Sequence, residues 1–117
     1  MDIITSKEDF EYYQGNFYFQ KNDYKRAIKH YKKGLRINSQ AILMLYEIGL
    51  ACFEIKKPKT ALKYWKTLLK IAPHSLLAVK INYELDRMKA KRGREEAARE
   101  DSALKKQAKN RKSIKPN

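Results

Sequence analysis

The segments GNFYFQKNDYKRAIKHYKKGLRI (residues 15–37) and GLACFEIKKPKTALKYWKTLLKI (residues 49–71) are two copies of one pattern. When the sequence is aligned with itself after a shift of 34 residues, small residues match small residues, aromatic residues match aromatic residues and lysines match lysines. The matched pairs are Gly15 with Gly49, Lys25 with Lys59, Ala27 with Ala61, Lys29 with Lys63, Tyr31 with Trp65, Leu35 with Leu69 and Ile37 with Ile71. A period of this length indicates a helical repeat protein, in which each unit buries its apolar face against its neighbours.

The pattern resembles the tetratricopeptide repeat family, whose unit has this length and places a small residue in its first helix. In the second copy the family's sites are small or apolar, although a tryptophan is missing from the first helix. They are Leu45, Ile48, Gly49, Cys52, Ala61, Trp65 and Pro73. The first copy has Glu11, Gln14, Gly15, Tyr18, Ala27, Tyr31 and Ser39 at these sites. The polar residues at its first two sites, Glu11 and Gln14, predict a capping repeat, because a first repeat has no predecessor to cover its outer side.

The repeat predicts an all-α fold with two tandem helix-turn-helix units, a C-terminal closing helix and a basic tail. We expect helices over residues 7–20, 24–37, 40–55, 58–72 and 75–92. Ser6 and Pro58 are residue types that favour helix starts. The predicted organisation is an N-terminal lead (1–6), two repeats (7–39 and 40–73), a closing helix (74–92) and a charged tail (93–117), partly helical or disordered.

Apolar residues at helical spacing predict a buried stripe on the first helix of each repeat. The stripes are Phe10, Tyr13, Phe17 and Tyr18 in the first copy, and Leu45, Ile48, Cys52 and Ile55 in the second. Gly15 is expected to face Ala27, because two small residues let antiparallel helices approach closely. At such a contact alanine should be tolerated in place of Gly15, and leucine should not.

The composition favours an interaction module over an enzyme. The chain has 117 residues, of which 34% are charged, and a formal net charge of +14. His30 and His74 have no metal-binding partners in sequence, no glycine-rich phosphate loop is present, and the paired carboxylates lie in the polar tail without a pocket. Cys52 is the single cysteine, which excludes an internal disulfide and fits a reducing compartment. Without a secretory or membrane-spanning stretch, we expect a cytoplasmic, non-enzymatic protein that uses no cofactor or metal.

The resemblance implies that successive first helices line a concave groove. Its lining would be Tyr12, Asn16 and Phe19 from the first copy and Tyr46, Leu50 and Phe53 from the second. Each set has the spacing i, i+4, i+7, which forms one stripe along a helix. This aromatic lining favours a protein partner that supplies an amphipathic helix or an extended segment with apolar anchors. The alternative is that the closing helix or residues 1–6 cover these side chains and make them core.

A more specific comparison within the family mostly fails. Some tetratricopeptide repeat proteins grip the C-terminal carboxylate of a chaperone with lysine, asparagine and arginine side chains. Asn16 matches one asparagine of that clamp, and by itself is better explained as a solvated helix residue. The other clamp sites here are Tyr12, Glu47, Leu77 and Ile81. Without the cations and the second asparagine, chaperone-tail binding is disfavoured.

The excess positive charge supports a second hypothesis, binding of nucleic acid or another polyanion, although such charge often only keeps a protein soluble. It lies on the second helix of each repeat, on the expected convex side, and in the C-terminal tail. The tail residues predicted to bind are Lys105, Lys106, Lys109, Arg111 and Lys112. An acidic protein is a further candidate partner. A third hypothesis is self-association into a homo-oligomer, because a short stack of two repeats has open ends.

Overall fold

Five helices make up the described part of the chain. The computed structural model describes the backbone of residues 6–113 and the side chains of residues 6–109. The helices are α1 (Lys7–Gln20), α2 (Tyr24–Ile37), α3 (Ile42–Glu54), α4 (Pro58–Ile71) and α5 (Leu76–Ser113), and residues 6–113 contain no strand. Neighbouring helices pack in chain order, α1 on α2, α2 on α3 and α3 on α4. The all-α prediction is confirmed, and the ends of the first four helices lie within two residues of those predicted.

Local signals explain where the helices start and turn. The Asp9 amide donates to Ser6 Oγ at 3.1 Å, and Pro58 occupies the first turn of α4. The hairpin turns contain Asn22 and Lys56, one repeat apart, with φ values of 62° and 64°. Each follows its first helix in a Schellman motif, in which two backbone amides return to carbonyls of the last helical turn. The left-handed residue therefore directs the chain from the first helix of a repeat into the second.

Each repeat packs a glycine against a buried aromatic ring. Tyr31 and Trp65 are almost fully buried, and their rings lie over Gly15 and Gly49. A Cβ atom at Gly15 would overlap Cε1 and Cδ1 of Tyr31, and one at Gly49 would overlap the Trp65 indole. The expectation that alanine is tolerated at Gly15 is therefore wrong, because the close neighbour is a fixed ring rather than only Ala27.

The predicted buried stripe on α1 is largely open. Phe10, Tyr13 and Phe17 are 47%, 67% and 50% exposed, and only Tyr18 is half-buried. The predicted stripe of the second copy is buried at Leu45, Ile48 and Cys52, and Ile55, just after α3, is half-buried. Met44 and Ala51, which lie 34 residues after Phe10 and Phe17, are also buried, because α3 lies against α2, whereas among the described residues no helix precedes α1.

Glu11 forms a polar pair with His30. The polar side chain at this position was predicted to mark a capping repeat. His30 Nδ1 and Glu11 Oε2 are 2.8 Å apart, and the His30 ring stacks on Tyr18 at a centroid distance of 5.4 Å. One repeat later the equivalent positions are Leu45 and Tyr64. The Glu11 carboxylate therefore points to the second helix of its own repeat. A polar residue is needed at this position to pair with His30, not to face solvent.

The fifth helix runs further than predicted. α5 continues through Gly93, where the charged tail was predicted to begin, and reaches Ser113. Near its start Ala78 and Ile81 are fully buried. The chain divides into two compact units, one ending at Ile81 and the other beginning at Asn82. The proposed division into lead, repeats, closing helix and tail stays a prediction, and residues 1–5 and 114–117 lie outside the described residues.

Candidate partner-binding groove

All six residues predicted to line the groove are half-buried. They lie on the first helix of each repeat, with Tyr12, Asn16 and Phe19 on α1 and Tyr46, Leu50 and Phe53 on α3. A half-buried side chain is fixed on one side by the protein and open to solvent on the other. The six residues can therefore form a contact surface that is already ordered.

In the second repeat the surface rests on Trp65. The Tyr46 ring is stacked on the indole at a centroid distance of 5.9 Å and an interplanar angle of 8°. Phe53 contacts the same indole at 4.9 Å, tilted by 56°. Trp65 is held in place because its Nε1–H donates to the Tyr46 carbonyl oxygen at 3.1 Å. One buried side chain therefore orients two of the three residues of this repeat that are predicted to line the groove.

The first repeat has a more polar version of the same arrangement. Tyr31 occupies the place of Trp65, 6.3 Å from the Tyr12 ring, and its hydroxyl donates to Asn16 Oδ1. Asn16 is therefore not simply a solvated helix residue. Phe19 makes an edge-to-face contact with Tyr24 at 5.3 Å, in place of the contact that Phe53 makes with Trp65.

A carboxylate lies beside these rings, at a position that the sequence marks only as a departure from the chaperone clamp. Burial raises the pKa of Glu47 above its ordinary value, and the nearby Lys80 ammonium partly opposes the shift. Burial, followed by the nearby Glu47 carboxylate and the Tyr12 hydroxyl group, strongly raises the pKa of the Tyr31 hydroxyl. Tyr31 therefore stays a neutral hydrogen-bond donor. The signal that could have identified Glu47 is a lone carboxylate within the apolar run of α3.

A small cavity extends the surface beside Tyr12. It has a volume of about 180 Å³ and is lined by the start of α1 and the start of α3. Ile42 and Leu43 give it an apolar wall, and Glu8 adds a carboxylate. An apolar side chain with a cationic end would match this lining, because a lysine or arginine has an apolar stem and a charged head.

Comparison with known families gives residues 15–56 as a match to the tetratricopeptide (TPR) repeat family. The matched segment runs from the glycine of the first copy, through α2, to the turn after α3. The match supports the resemblance to this family over residues 15–56. No curated protein matches the chain as a relative. TPR repeats are non-catalytic and generally mediate protein–protein interactions.

The predicted polyanion site lies on α5, after the two repeats. Lys105, Lys106 and Lys109 are exposed, and Lys105 Nζ lies 3.2 Å from Asp101 Oδ2. The side chains of Arg111 and Lys112 lie outside the described residues. Acidic residues interleave with the cations upstream of this block, at Glu95, Glu96, Glu100 and Asp101. The tail site stays a prediction.

Metal ions and membranes would each need features that the described residues do not have. Among them, no three or more histidine, cysteine, aspartate or glutamate side chains are arranged to hold a metal ion. No helix in the described part combines the length and apolar character needed to cross a membrane. Cys52 is buried, and burial raises the pKa of its thiol against the opposing charges of Lys32 and Lys57.

Proposed function

We propose that this TPR-containing chain is a non-enzymatic adaptor that binds a helix or an extended peptide of a protein partner in the concave groove. The observation that carries the proposal is the half-open aromatic surface formed by Tyr46 and Phe53 on the buried Trp65 ring. Aromatic side chains are enriched among the residues that dominate binding energy at protein interfaces.

The packing behind the rings reduces the cost of binding. A flexible surface side chain loses about 0.5–1.5 kcal/mol of rotamer freedom when a partner immobilises it. Tyr46 and Phe53 already lie against the Trp65 indole, so their side chains have lost part of this rotamer freedom before a partner binds. A partner with apolar side chains at helical spacing would cover the exposed faces of both rings and exclude water from them.

Polar groups among the rings would set the orientation of the partner. Asn16 Oδ1 accepts from Tyr31, which leaves its amide N–H groups available to a carbonyl of the bound segment. Glu47 lies near Tyr31 and Lys80, and its half-buried carboxylate can accept from a cationic or amide donor. We therefore expect a partner segment whose apolar anchors are accompanied by a hydrogen-bond donor.

Selection from a displayed peptide library tests the groove. The wild-type protein should enrich peptides with apolar residues at i, i+3 or i+4 and i+7, and a Tyr46→Ala variant should lose them by at least about tenfold. Tyr13→Ala is the matched control, because it removes the same side chain from an exposed position of α1 outside the predicted groove. Circular dichroism verifies the fold of both variants.

The outcomes separate the groove from other surfaces. Loss of the selected peptides by Tyr46→Ala alone supports the groove. Equal binding by Tyr46→Ala and wild type, or selective loss in Tyr13→Ala, would place the interaction elsewhere. Enrichment of acidic peptides without apolar anchors would also contradict the proposal.

A further inference from the structure

The second helices of the two repeats carry only one sign of charge. α2 contains six cationic side chains and α4 contains four, and neither helix contains an aspartate or glutamate. Like charges three or four residues apart destabilise a helix. Opposite charges at some of these positions would relieve that repulsion, yet both helices lack them. The folding of the repeat does not account for this arrangement.

Eight of these cations form two matching stripes. They are Lys25, Lys29, Lys32 and Arg36 on α2, and Lys59, Lys63, Lys66 and Lys70 on α4. Their spacing is i, i+4, i+7, i+11, which keeps each set on one side of a helix with 3.6 residues per turn. Every position of one stripe recurs 34 residues later in the other. Each stripe extends about 16 Å along its helix axis.

Both stripes point away from the core. The buried faces of the two helices include Ala27, Tyr31 and Gly34 on α2 and Ala61, Trp65 and Leu68 on α4, which the helical period places opposite the stripes. All eight cations are exposed. None forms an ion pair with a carboxylate of the described residues, whereas Arg26, beside the α2 stripe, pairs with Asp23. The eight charges are therefore available to an anionic partner.

We propose that the stripes on α2 and α4 bind the phosphodiester backbone of double-stranded nucleic acid. Successive cations lie about 5–6 Å apart along each helix, and a duplex presents a dense, regular series of phosphates to such a row. Lysine and arginine contacts to phosphate position a protein on a duplex without reading its sequence. This surface is separate from the concave groove and extends beyond the adaptor function.

The chemistry of the stripes favours a duplex over other anionic partners. Insertion into a membrane surface needs an apolar face beside the charges, and here the apolar faces of α2 and α4 are used in the core. Lysine is depleted at protein–protein interfaces, and single strands are held by aromatic side chains on which bases stack. The tyrosine and tryptophan side chains of α2 and α4 are not open platforms: Tyr31 and Trp65 are buried, and Tyr24 and Tyr64 are half-buried.

Fluorescence anisotropy with short labelled duplexes of DNA and RNA tests this proposal on the full chain. Between about 50 and 200 mM salt, contact with six or more phosphates should weaken the affinity by about a thousandfold or more. Replacing Lys25, Lys29, Lys32 and Arg36 with glutamine should reduce the slope of log K against log salt by about 0.9 for each phosphate that is no longer neutralised. The same exchange of Lys59, Lys63, Lys66 and Lys70 should have a similar effect.

A tail variant is the matched control. Glutamine at Lys105, Lys106, Lys109 and Lys112 removes the same number of positive charges from α5 and should leave most of the slope in place. Glutamine is a good helix former, so all three variants should keep their helical circular dichroism. Tighter binding of one of the two duplexes would show whether the phosphodiester backbone that the stripes bind is that of DNA or of RNA.

The proposal is supported if the slope of log K against log salt decreases more in the two stripe variants than in the tail variant. If only the tail variant binds the duplexes more weakly, the binding belongs to α5 and the proposal is overturned. The proposal also fails if the duplexes do not bind at low salt, or if polyglutamate or vesicles of phosphatidylserine and phosphatidylcholine bind more tightly than the duplexes.

Discussion

At the scale of single residues, the glycines of the two repeats are packing partners of aromatic rings. Gly15 has no room for a methyl group, because Tyr31 is fully buried and its hydroxyl is bonded to Asn16. We expect Gly15→Ala to destabilise the protein by about 1–3 kcal/mol through overpacking. Thermal unfolding followed by Trp65 fluorescence would measure this change.

Gly93 provides the control for that substitution. It lies within α5 with no neighbouring atom near its missing side chain. Gly93→Ala should therefore increase helical circular dichroism, since alanine favours a helix by about 1 kcal/mol over glycine. If Gly15→Ala were as stable as wild type, the Tyr31 ring could not be held as close to α1 as the structure has it.

The pKa of Glu47 predicts a dependence of stability on pH. Burial raises the pKa of this carboxyl in the folded protein, so the folded state holds its proton to higher pH than the unfolded state does. The charged carboxylate therefore costs stability at neutral pH, and that cost decreases as the pH falls. Glu47→Gln should raise the melting temperature at pH 7 and should have little effect near about pH 4, where the unfolded carboxyl is largely protonated.

Glu54 supplies the comparison for the pH experiment, because it is an exposed glutamate on the same helix. Glu54→Gln should change the melting temperature little at either pH. A lower melting temperature for Glu47→Gln at pH 7 would mean that the attraction to Lys80 outweighs the cost of burial, contrary to the pKa shift.

Residue types showed where the helices approach closely, but not which atoms meet. The paired Gly15 and Gly49 marked the contact, because a repeated glycine in a helix needs a packing reason. That Tyr31 rather than Ala27 fills the space depends on the angle between the helices, which spacing does not contain. The Glu11–His30 bond was missed for the same reason, since its two residues lie on different helices.

At the scale of the helical elements, the two hairpin turns share one geometry but have different residues. Lys56 has φ 64°, a left-handed conformation that costs an ordinary L-residue about 1–2 kcal/mol. Asn22 occupies the equivalent place with less strain, because asparagine adopts this region more readily, and it also accepts a bond from the Tyr24 hydroxyl at 2.9 Å. Lys56→Asn should therefore stabilise the protein by about 1 kcal/mol in chemical denaturation.

The reciprocal substitution tests the same turn. Asn22→Lys should destabilise the protein by a comparable amount, because it introduces the strain and removes the bond to Tyr24. If Lys56→Asn lowered stability instead, the Schellman geometry after α3 would be wrong. Lys56→Pro is not a suitable test, since the Lys56 amide donates to the Phe53 carbonyl.

The helices themselves were predicted well because their signals are local. Capping residues, the turn and the periodic apolar positions all lie within a few residues of each helix end. The exception is α5, which was predicted to end near residue 92 and instead continues through Gly93. Burial was harder to predict for α1, since Phe10 and Met44 occupy equivalent positions, but Met44 packs against Gly34 of α2 whereas Phe10 is 47% exposed.

At the scale of the whole molecule, stacking gives the two repeats different surroundings. The face of α3 that meets α2 is buried, and Met44 lies against Gly34. The same face of α1 carries Phe10, Tyr13 and Phe17 and is largely exposed. Self-association through an open end of the stack stays a prediction, and these three aromatic residues are the surface of α1 that it would use.

The difference between the repeats can be measured with one substitution in each. Met44→Ala should cost about 2–5 kcal/mol of unfolding free energy, because it leaves a cavity between α2 and α3. Phe10→Ala removes a larger side chain from the equivalent position of α1, yet should cost about 1 kcal/mol or less because the ring is nearly half-exposed. Denaturant unfolding at low protein concentration measures both changes without self-association. A cost for Phe10→Ala as large as that for Met44→Ala would show that α1 is covered in solution, and therefore that the first repeat has a packing partner on its outer face.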